Sequence, residues 1–269
     1  MRILLFLLIF TLILNAKNEE SYPDKIKFKV GVFFVGNQDS DLKVTKGGVG
    51  AIFNVQDLFN LETTQFAVRI ESSYRFNECH GVEFLWYRIL NSGYTDKDIR
   101  FTWGDKDIIA NGELKSHFNT DIYKMNYLYS FYHSSEVEMK LSAGIHVTTI
   151  DLGFEGNYAT DDNPDTIQKS NKKLSTLAPL PVIGYRLEYS ITQEWVVSFS
   201  IDYLYLAFSG FSGGMTDILL SMEYNFFKNF GVGLGFNSTQ MHFKMEEDDT
   251  EYKLVHSVTG GLLYIISNF

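Results

Sequence analysis

Counted in steps of two, the positions of this chain sort into an apolar set and a polar set. In 194–208, Trp195, Val197, Phe199, Ile201, Tyr203 and Tyr205 share one parity, and Ser198, Ser200 and Asp202 the other. In 216–227, Ile218, Leu220, Met222, Tyr224 and Phe226 oppose Asp217, Ser221, Glu223 and Asn225. In 230–243, Phe230, Val232, Leu234 and Phe236 oppose Gly231, Gly233, Gly235 and Asn237. Earlier segments repeat the rule: Tyr123, Met125, Tyr127, Tyr129 and Phe131 alternate with Lys124, Asn126 and Ser130. Ile26, Phe28, Val30, Val32 and Phe34 alternate with Lys27, Lys29 and Gly31. Successive side chains of a strand point to opposite faces, so this period predicts strands with one apolar and one polar face.

The pattern predicts strands near 25–36, 66–77, 80–94, 113–132, 136–156, 173–191, 194–208, 215–227, 230–245 and 250–269. Short turns at 77–80, 133–136, 192–194 and 228–229 alternate with longer polar connections at 95–113, 156–172, 209–215 and 245–251. Ten antiparallel strands with both termini on the short-turn side satisfy this order. Segment 37–65 decides the alternatives. Residues 41–45 and 49–55 suit a hairpin in the first long connection, and 54–61 a short helical turn. If both hairpin pieces join the wall the count is twelve; if the first strand fails to pair it is eight.

Aromatic residues make up 16% of the 269 positions, yet mean hydropathy is only −0.08. Nothing after residue 16 approaches the ~18 consecutive apolar residues of a membrane helix. A soluble barrel or sandwich would turn its apolar face inward. Here that face carries Trp, Tyr and Phe on nearly every strand, more than a small barrel interior can hold. Turning it outward to lipid, with the polar face inside, gives an all-β transmembrane barrel. Trp195, Tyr224, Tyr189 and Phe226 then belong to the girdle near the short turns. Met1-Arg2, an apolar run from Ile3 to Leu14 and Asn15-Ala16 read as a secretory leader over 1–16, leaving 17–269 as one barrel domain. A net charge of −10 argues against nucleic acid. The single cysteine, Cys79, permits no internal disulfide.

The chain ends Gly261-Leu262-Leu263-Tyr264-Ile265-Ile266-Ser267-Asn268-Phe269. A terminal aromatic on an apolar-enriched strand resembles the last strand of bacterial outer-membrane barrels, which the assembly machinery reads; Ser267 stands where that family carries a large apolar residue. Ala178-Pro179-Leu180-Pro181-Val182-Ile183-Gly184-Tyr185-Arg186-Leu187-Glu188-Tyr189 resembles a family of Gram-negative outer-membrane β-barrel proteins. Trp195, Thr216-Asp217, Glu223-Tyr224, Tyr74-Arg75-Phe76-Asn77 and Gly231-Val232-Gly233-Leu234-Gly235-Phe236-Asn237 are similar too. The resemblance implies the fold, an outer-membrane location after export through the periplasm, contact with membrane lipid and lipopolysaccharide, and Phe269 as the assembly signal. It implies no activity, because fold does not give function.

The polar faces carry six cations, Lys27, Lys29, Arg69, Arg75, Lys140 and Arg186, and seven anions, Glu71, Glu83, Glu138, Glu188, Asp202, Asp217 and Glu223. Near-balance suits a plug of ion pairs across the lumen, with Arg69, Glu71, Lys140, Arg186, Glu188, Asp202 and Glu223 paired, better than a selective pore. The leading expectation is therefore a closed barrel with a structural, adhesive or small-solute role. An open porin and an enzyme acting on lipid or peptide are the alternatives. For catalysis the candidates are Ser238 with His242, read as inward and roughly 13 Å apart along one strand, then His146 and His256, with Glu138, Glu188 or Asp202 as carboxylates. None has the spacing of a nucleophile beside its base, so a non-enzyme is expected. Glu246-Glu247-Asp248-Asp249, with Asp161, Asp162 and Asp165, reads as solvated acidic loops rather than a divalent-cation site. No metal or cofactor is expected. Pro179 and Pro181, which lack ladder donors, mark a strand start, bulge or edge.

Overall fold

A computed structural model describes residues 25–46, 49–96, 99–103, 106–160, 163–208, 210–247 and 250–269. The leader assigned to 1–16 lies outside them, as do Asp161, Asp162, Asp248 and Asp249. In chain order the elements are β1 (Ile26–Lys46), β2 (Val49–Asn54), a one-turn helix α1 (Val55–Leu58), β3 (Gln65–Arg75), β4 (His80–Ile89), β5 (Ser92–Thr95), β6 (Ile99–Trp103) and β7 (Lys106–His133). There follow β8 (Val137–Thr160), β9 (Asn163–Ser190), β10 (Trp195–Phe208), β11 (Phe211–Phe227), β12 (Phe230–Glu247) and β13 (Thr250–Asn268).

Every pairing is antiparallel, and β13 pairs back onto β1 from Lys27↔Asn268 to Lys46↔Thr250, so the sheet closes on itself. The closed wall runs β1-β3-β4-β7-β8-β9-β10-β11-β12-β13, a ten-stranded barrel. β5 and β6 continue the β4 position along β7 after a break at Leu90-Asn91. β2 folds back on β1 as the hairpin expected in segment 37–65, and α1 follows it directly, so that segment forms both candidate structures and neither adds a wall strand. The terminal residue completes the closure: Ile26 N–H donates to Phe269 O at 2.9 Å and Phe269 N–H to Ile26 O at 2.8 Å.

Side chains that fold back on the backbone make the short turns. Asn77 Oδ1 accepts from the amides of Cys79 and His80, Ser134 Oγ from Val137, and Thr192 Oγ1 from Trp195. The opposite ends depart from expectation. The connections read at 95–113, 156–172, 209–215 and 245–251 are largely strand: β7, β8 and β9 run 28, 24 and 28 residues, and Gly210, at φ +75°, turns directly into β11. Beyond the lipid-facing zone neither face need be apolar. Ladder hydrogen bonds extend these strands with no alternating signature in the sequence.

Facing follows the parity reading on the outside. Phe66, Met125, Ile183, Leu220, Leu234, Leu263 and Ile265 project outward and are exposed. So are Trp195, Tyr224, Tyr189 and Phe226, with the Trp195 and Tyr224 rings 4.7 Å apart across β10 and β11. Inside, the polar lumen needs correction. Its half toward the short turns is charged, but its other half holds apolar clusters set among neutral polar side chains such as Gln38, Ser40, His146 and His256. Phe33, Val35, Tyr87, Ile89, Ile122, Val258 and Leu262 pack from one wall, and Leu180, Val182, Met215 and Met241 from the other. Val55, Phe59, Leu61, Leu114 and Phe118 lie at α1 above them. Strands that are apolar on both faces here, as in Val32-Phe33-Phe34-Val35, are buried on one side and exposed on the other.

Close strand approach fixes some positions as glycine. A Cβ on Gly144 would overlap Met125 O and the Asn126 backbone on β7. Gly144→Val is expected to destabilise the barrel by the upper part of about 1–3 kcal/mol, read as loss of the compact band in unheated gel samples. Gly36→Ala, whose nearest neighbour would lie at 3.8 Å, should leave that band unchanged.

Candidate functional site

Inward parity on ten strands brings charges from all sides of the barrel to two levels of the lumen. Near the short turns, Arg75 Nη2 meets Glu138 Oε1 at 2.6 Å and Lys140 Nζ meets Glu138 Oε2 at 2.9 Å. Lys140 reaches Glu188 Oε1 at 2.5 Å, Lys27 reaches Glu188 Oε2 at 3.1 Å, and Lys29 reaches Glu223 Oε1 at 2.5 Å. Lys27 also lies 3.6 Å from Glu223 Oε2, so the signs alternate in one chain from Arg75 to Lys29.

One level further in, Arg69 Nε meets Glu71 at 2.6 Å, and its Nη1 donates to Asn237 Oδ1 at 2.8 Å. Asn237 Nδ2 donates to Asp217 Oδ1 at 2.7 Å. Lys124 Nζ bridges Asp217 at 2.9 Å and Asp202 at 2.7 Å; Arg186 joins Asp202 at 2.8 Å to Glu83 at 3.1 Å. The seven residues expected to pair in the lumen are all in these two chains.

Lys124, on the polar parity of its strand, is the cation absent from the sequence-derived charge balance; with it, seven cations and seven carboxylates among the described residues face the lumen, each in an ion pair. Its side chain is 6% exposed and Asp202 is 1% exposed, so each depends on the other. A buried charge that loses its partner is costly, which holds each member of the two chains to its neighbours. A cavity of about 90 Å³ lies between the levels, touching Lys29, Glu71, Lys124 and Glu188. A vestibule of about 320 Å³ opens at the short-turn mouth beside Arg75, Glu138 and His133.

The catalytic candidates do not converge. Ser238 and His242 face outward, not inward, because Asn237, Thr239 and Met241 hold the inner parity of β12. Ser238 Oγ pairs with Thr259 Oγ1 at 3.1 Å, and the His242 ring lies beside Tyr205. His146 is buried and its Nε2 lies 3.1 Å from Thr148 Oγ1. His256 Nδ1 lies 2.8 Å from Ser40 Oγ, a hydroxyl–imidazole pair the sequence reading missed because Ser40 falls in segment 37–65. Gln56 of α1 donates to the same Ser40 Oγ at 3.1 Å, and Ser40 and His256 are 0% and 1% exposed. A substrate has no access to them. Glu138, Glu188 and Asp202 are committed to Arg and Lys partners.

At the acidic outer turn, Lys244 Nζ bonds Glu246 at 2.6 Å and Glu251 at 2.8 Å. The bond to Glu246 holds the Lys244 ammonium above its ordinary range, and the Lys244 bond holds the Glu251 carboxyl below its own. Among the described residues no cluster of three His, Cys, Asp or Glu is suited to a metal.

No protein-family model and no curated protein sequence matches the chain. Solved structures do. The outer membrane protease OmpT from Escherichia coli is similar over 94% of this chain and 99% of that one, at 10% identity and a TM-score of 0.59. The translocator domain of autotransporter NalP from Neisseria meningitidis covers 91% of this chain and 89% of its own, at 8% identity and a TM-score of 0.43. Ail, the attachment invasion locus protein of Yersinia pestis, covers 90% and 99%, at 9% identity and a TM-score of 0.29. The likeness to OmpT is one of fold: the chain is a closed, antiparallel, ten-stranded barrel like those of outer-membrane proteins.

Proposed function

We propose that this protein is an integral outer-membrane barrel, closed to ions and without catalytic activity, that serves as a scaffold holding the tall β7–β8–β9 sheet outside the cell for adhesive or structural contact. The sealed lumen carries this reading: two chains of paired charges, an apolar layer and α1 lie in series along the axis. Small-solute passage is correspondingly disfavoured. The exposed belt of Phe, Tyr, Leu and Ile supports a lipid environment, with lipopolysaccharide at the outer rim. Export through a cleaved leader and reading of the Phe269 strand by the assembly machinery complete the proposal.

Orientation provides its test. Cys79 is exposed in a short turn, which belongs to the periplasmic side. An impermeant maleimide should therefore leave it unlabelled on intact cells and label it once the outer membrane is opened. Thr63→Cys in a Cys79→Ser chain, at an exposed position between α1 and β3, should label on intact cells. The reverse pattern, or equal labelling of both, contradicts the proposal.

A further inference from the structure

We infer that the barrel wall has a lateral port between β9 and β10, and that an acyl chain of a surrounding membrane lipid enters it and lies on the apolar cluster of Leu180, Val182, Met215 and Met241. The inference rests on the reading of the outer belt as lipid-facing.

The β9–β10 ladder runs from Ser190↔Val196 to Ile183↔Tyr203 and stops, although both strands continue. β10 goes on to Phe208, paired with β11 from Leu204↔Met215 to Phe208↔Phe211. β9 goes on along β8 through Val182↔Gly144, Pro181↔Ile145 and Pro179↔Val147. Among the described residues, 204–208 and the facing 178–182 therefore have no ladder with each other.

The cause is in the sequence. Ser190 N–H donates to Glu136 O on the β8 side, and Ile191 N–H to Trp195 O on the β10 side. Amide direction alternates along a strand, and no register shift interrupts β9 between 176 and 190. Odd positions of β9 therefore direct their amides at β10. Pro181 and Pro179 are the next two odd positions beyond Ile183, and neither has an N–H. The same two prolines disfavour an added strand in the gap, because it would meet no donors from them.

The position of the gap suits a lipid. Leu204 lies nine residues beyond Trp195, roughly 30 Å along the strand and, at the usual tilt of about 40°, roughly 23 Å in height, and the apolar band of such barrels is about 25 Å tall. The gap thus opens at the far edge of the belt, flanked by the exposed Tyr203 and Tyr205. Behind it Leu180 and Val182 face inward against Met215 and Met241, with Leu204 and Phe243 packed on them. Methionine side chains repack easily around an apolar guest. At the same level His146, opposite Leu180 on β8, is 1% exposed. Its Nε2 lies 3.1 Å from Thr148 Oγ1, which in turn lies 3.6 Å from Met241 Sδ, and its Nδ1 has no partner among the described residues. A hydroxyl on the chain, or a water carried in with it, satisfies that atom.

Photo-methionine, nearly isosteric with methionine, tests the port in the full chain reconstituted in phosphatidylcholine bilayers. Met125 and Met222 face outward and are exposed, whereas Met215 and Met241 are buried behind the gap. After irradiation, mass spectrometry should find lipid adducts on all four. A Pro181→Cys/Tyr205→Cys disulfide across the gap, in a Cys79→Ser chain, should abolish the adducts at Met215 and Met241 alone. Adducts at Met125 and Met222 with none at Met215 or Met241 would overturn the port. Adducts at Met215 and Met241 that persist in the cross-linked chain would do the same. Absence of adducts at Met125 and Met222 would instead overturn the membrane reading on which the port rests.

Discussion

Lys124→Ala is expected to lower the stability of the folded barrel by roughly 3–5 kcal/mol, the cost of leaving buried charge without its partner. Lys124 is the link shared by Asp202 and Asp217. After its loss Asp202 retains Arg186, but Asp217 retains only the neutral donors Asn237 and Thr239. Urea unfolding of protein refolded into liposomes measures the difference. Adding Asp217→Asn to Lys124→Ala should recover part of the loss, because it removes the carboxylate left unpaired. Lys244→Ala removes a cation that also bridges two carboxylates, yet at an exposed turn where water replaces it, and should leave the unfolding curve unchanged. Equal effects at Lys124 and Lys244 would mean that the lumen is as wet as the surface.

Leu234→Arg should cost about 2–4 kcal/mol in a bilayer, the penalty for a cation on the lipid face near mid-depth. Leu234 is 64% exposed and lies four residues above the short turn at Phe230. Gln240→Arg, on the same strand and face but six residues further out, should cost about 0–1 kcal/mol, as at an interface. The same unfolding experiment reads both. In a water-soluble barrel both positions would be ordinary surface sites and neither substitution would matter.

The sequence carried the wall because lipid, lumen and pleat impose one period on both faces. The alternations around Trp195, Ile218 and Phe230 locate strands, facing and short turns together. Asn77, Ser134 and Thr192 were legible as turn residues because their side chains make local bonds. The upper lumen was not legible. Phe33, Val35, Leu180 and Val182 share inward parity with Lys29 and Arg186, and parity says only which way a residue points, not whether water reaches it there. Lys124 was visible by parity, but its place between Asp202 and Asp217 depends on β7 facing β10 and β11 across the lumen, a long-range fact. The Ser40–His256 pair depends in turn on the β1–β13 closure, set by the register Ser40↔His256. Pro179 and Pro181 were legible as a disturbance of a strand; which neighbour lost its ladder required knowing where Ser190 and Ile191 send their amides.

The central claim, a membrane-inserted barrel with a sealed lumen, is tested most directly by planar-bilayer recording of purified, refolded protein whose insertion has been verified by heat-modifiable mobility. The charge chains and the apolar layer predict no stable single-channel steps across the wild-type barrel. Large, long-lived open-channel currents from inserted wild-type protein would contradict the account.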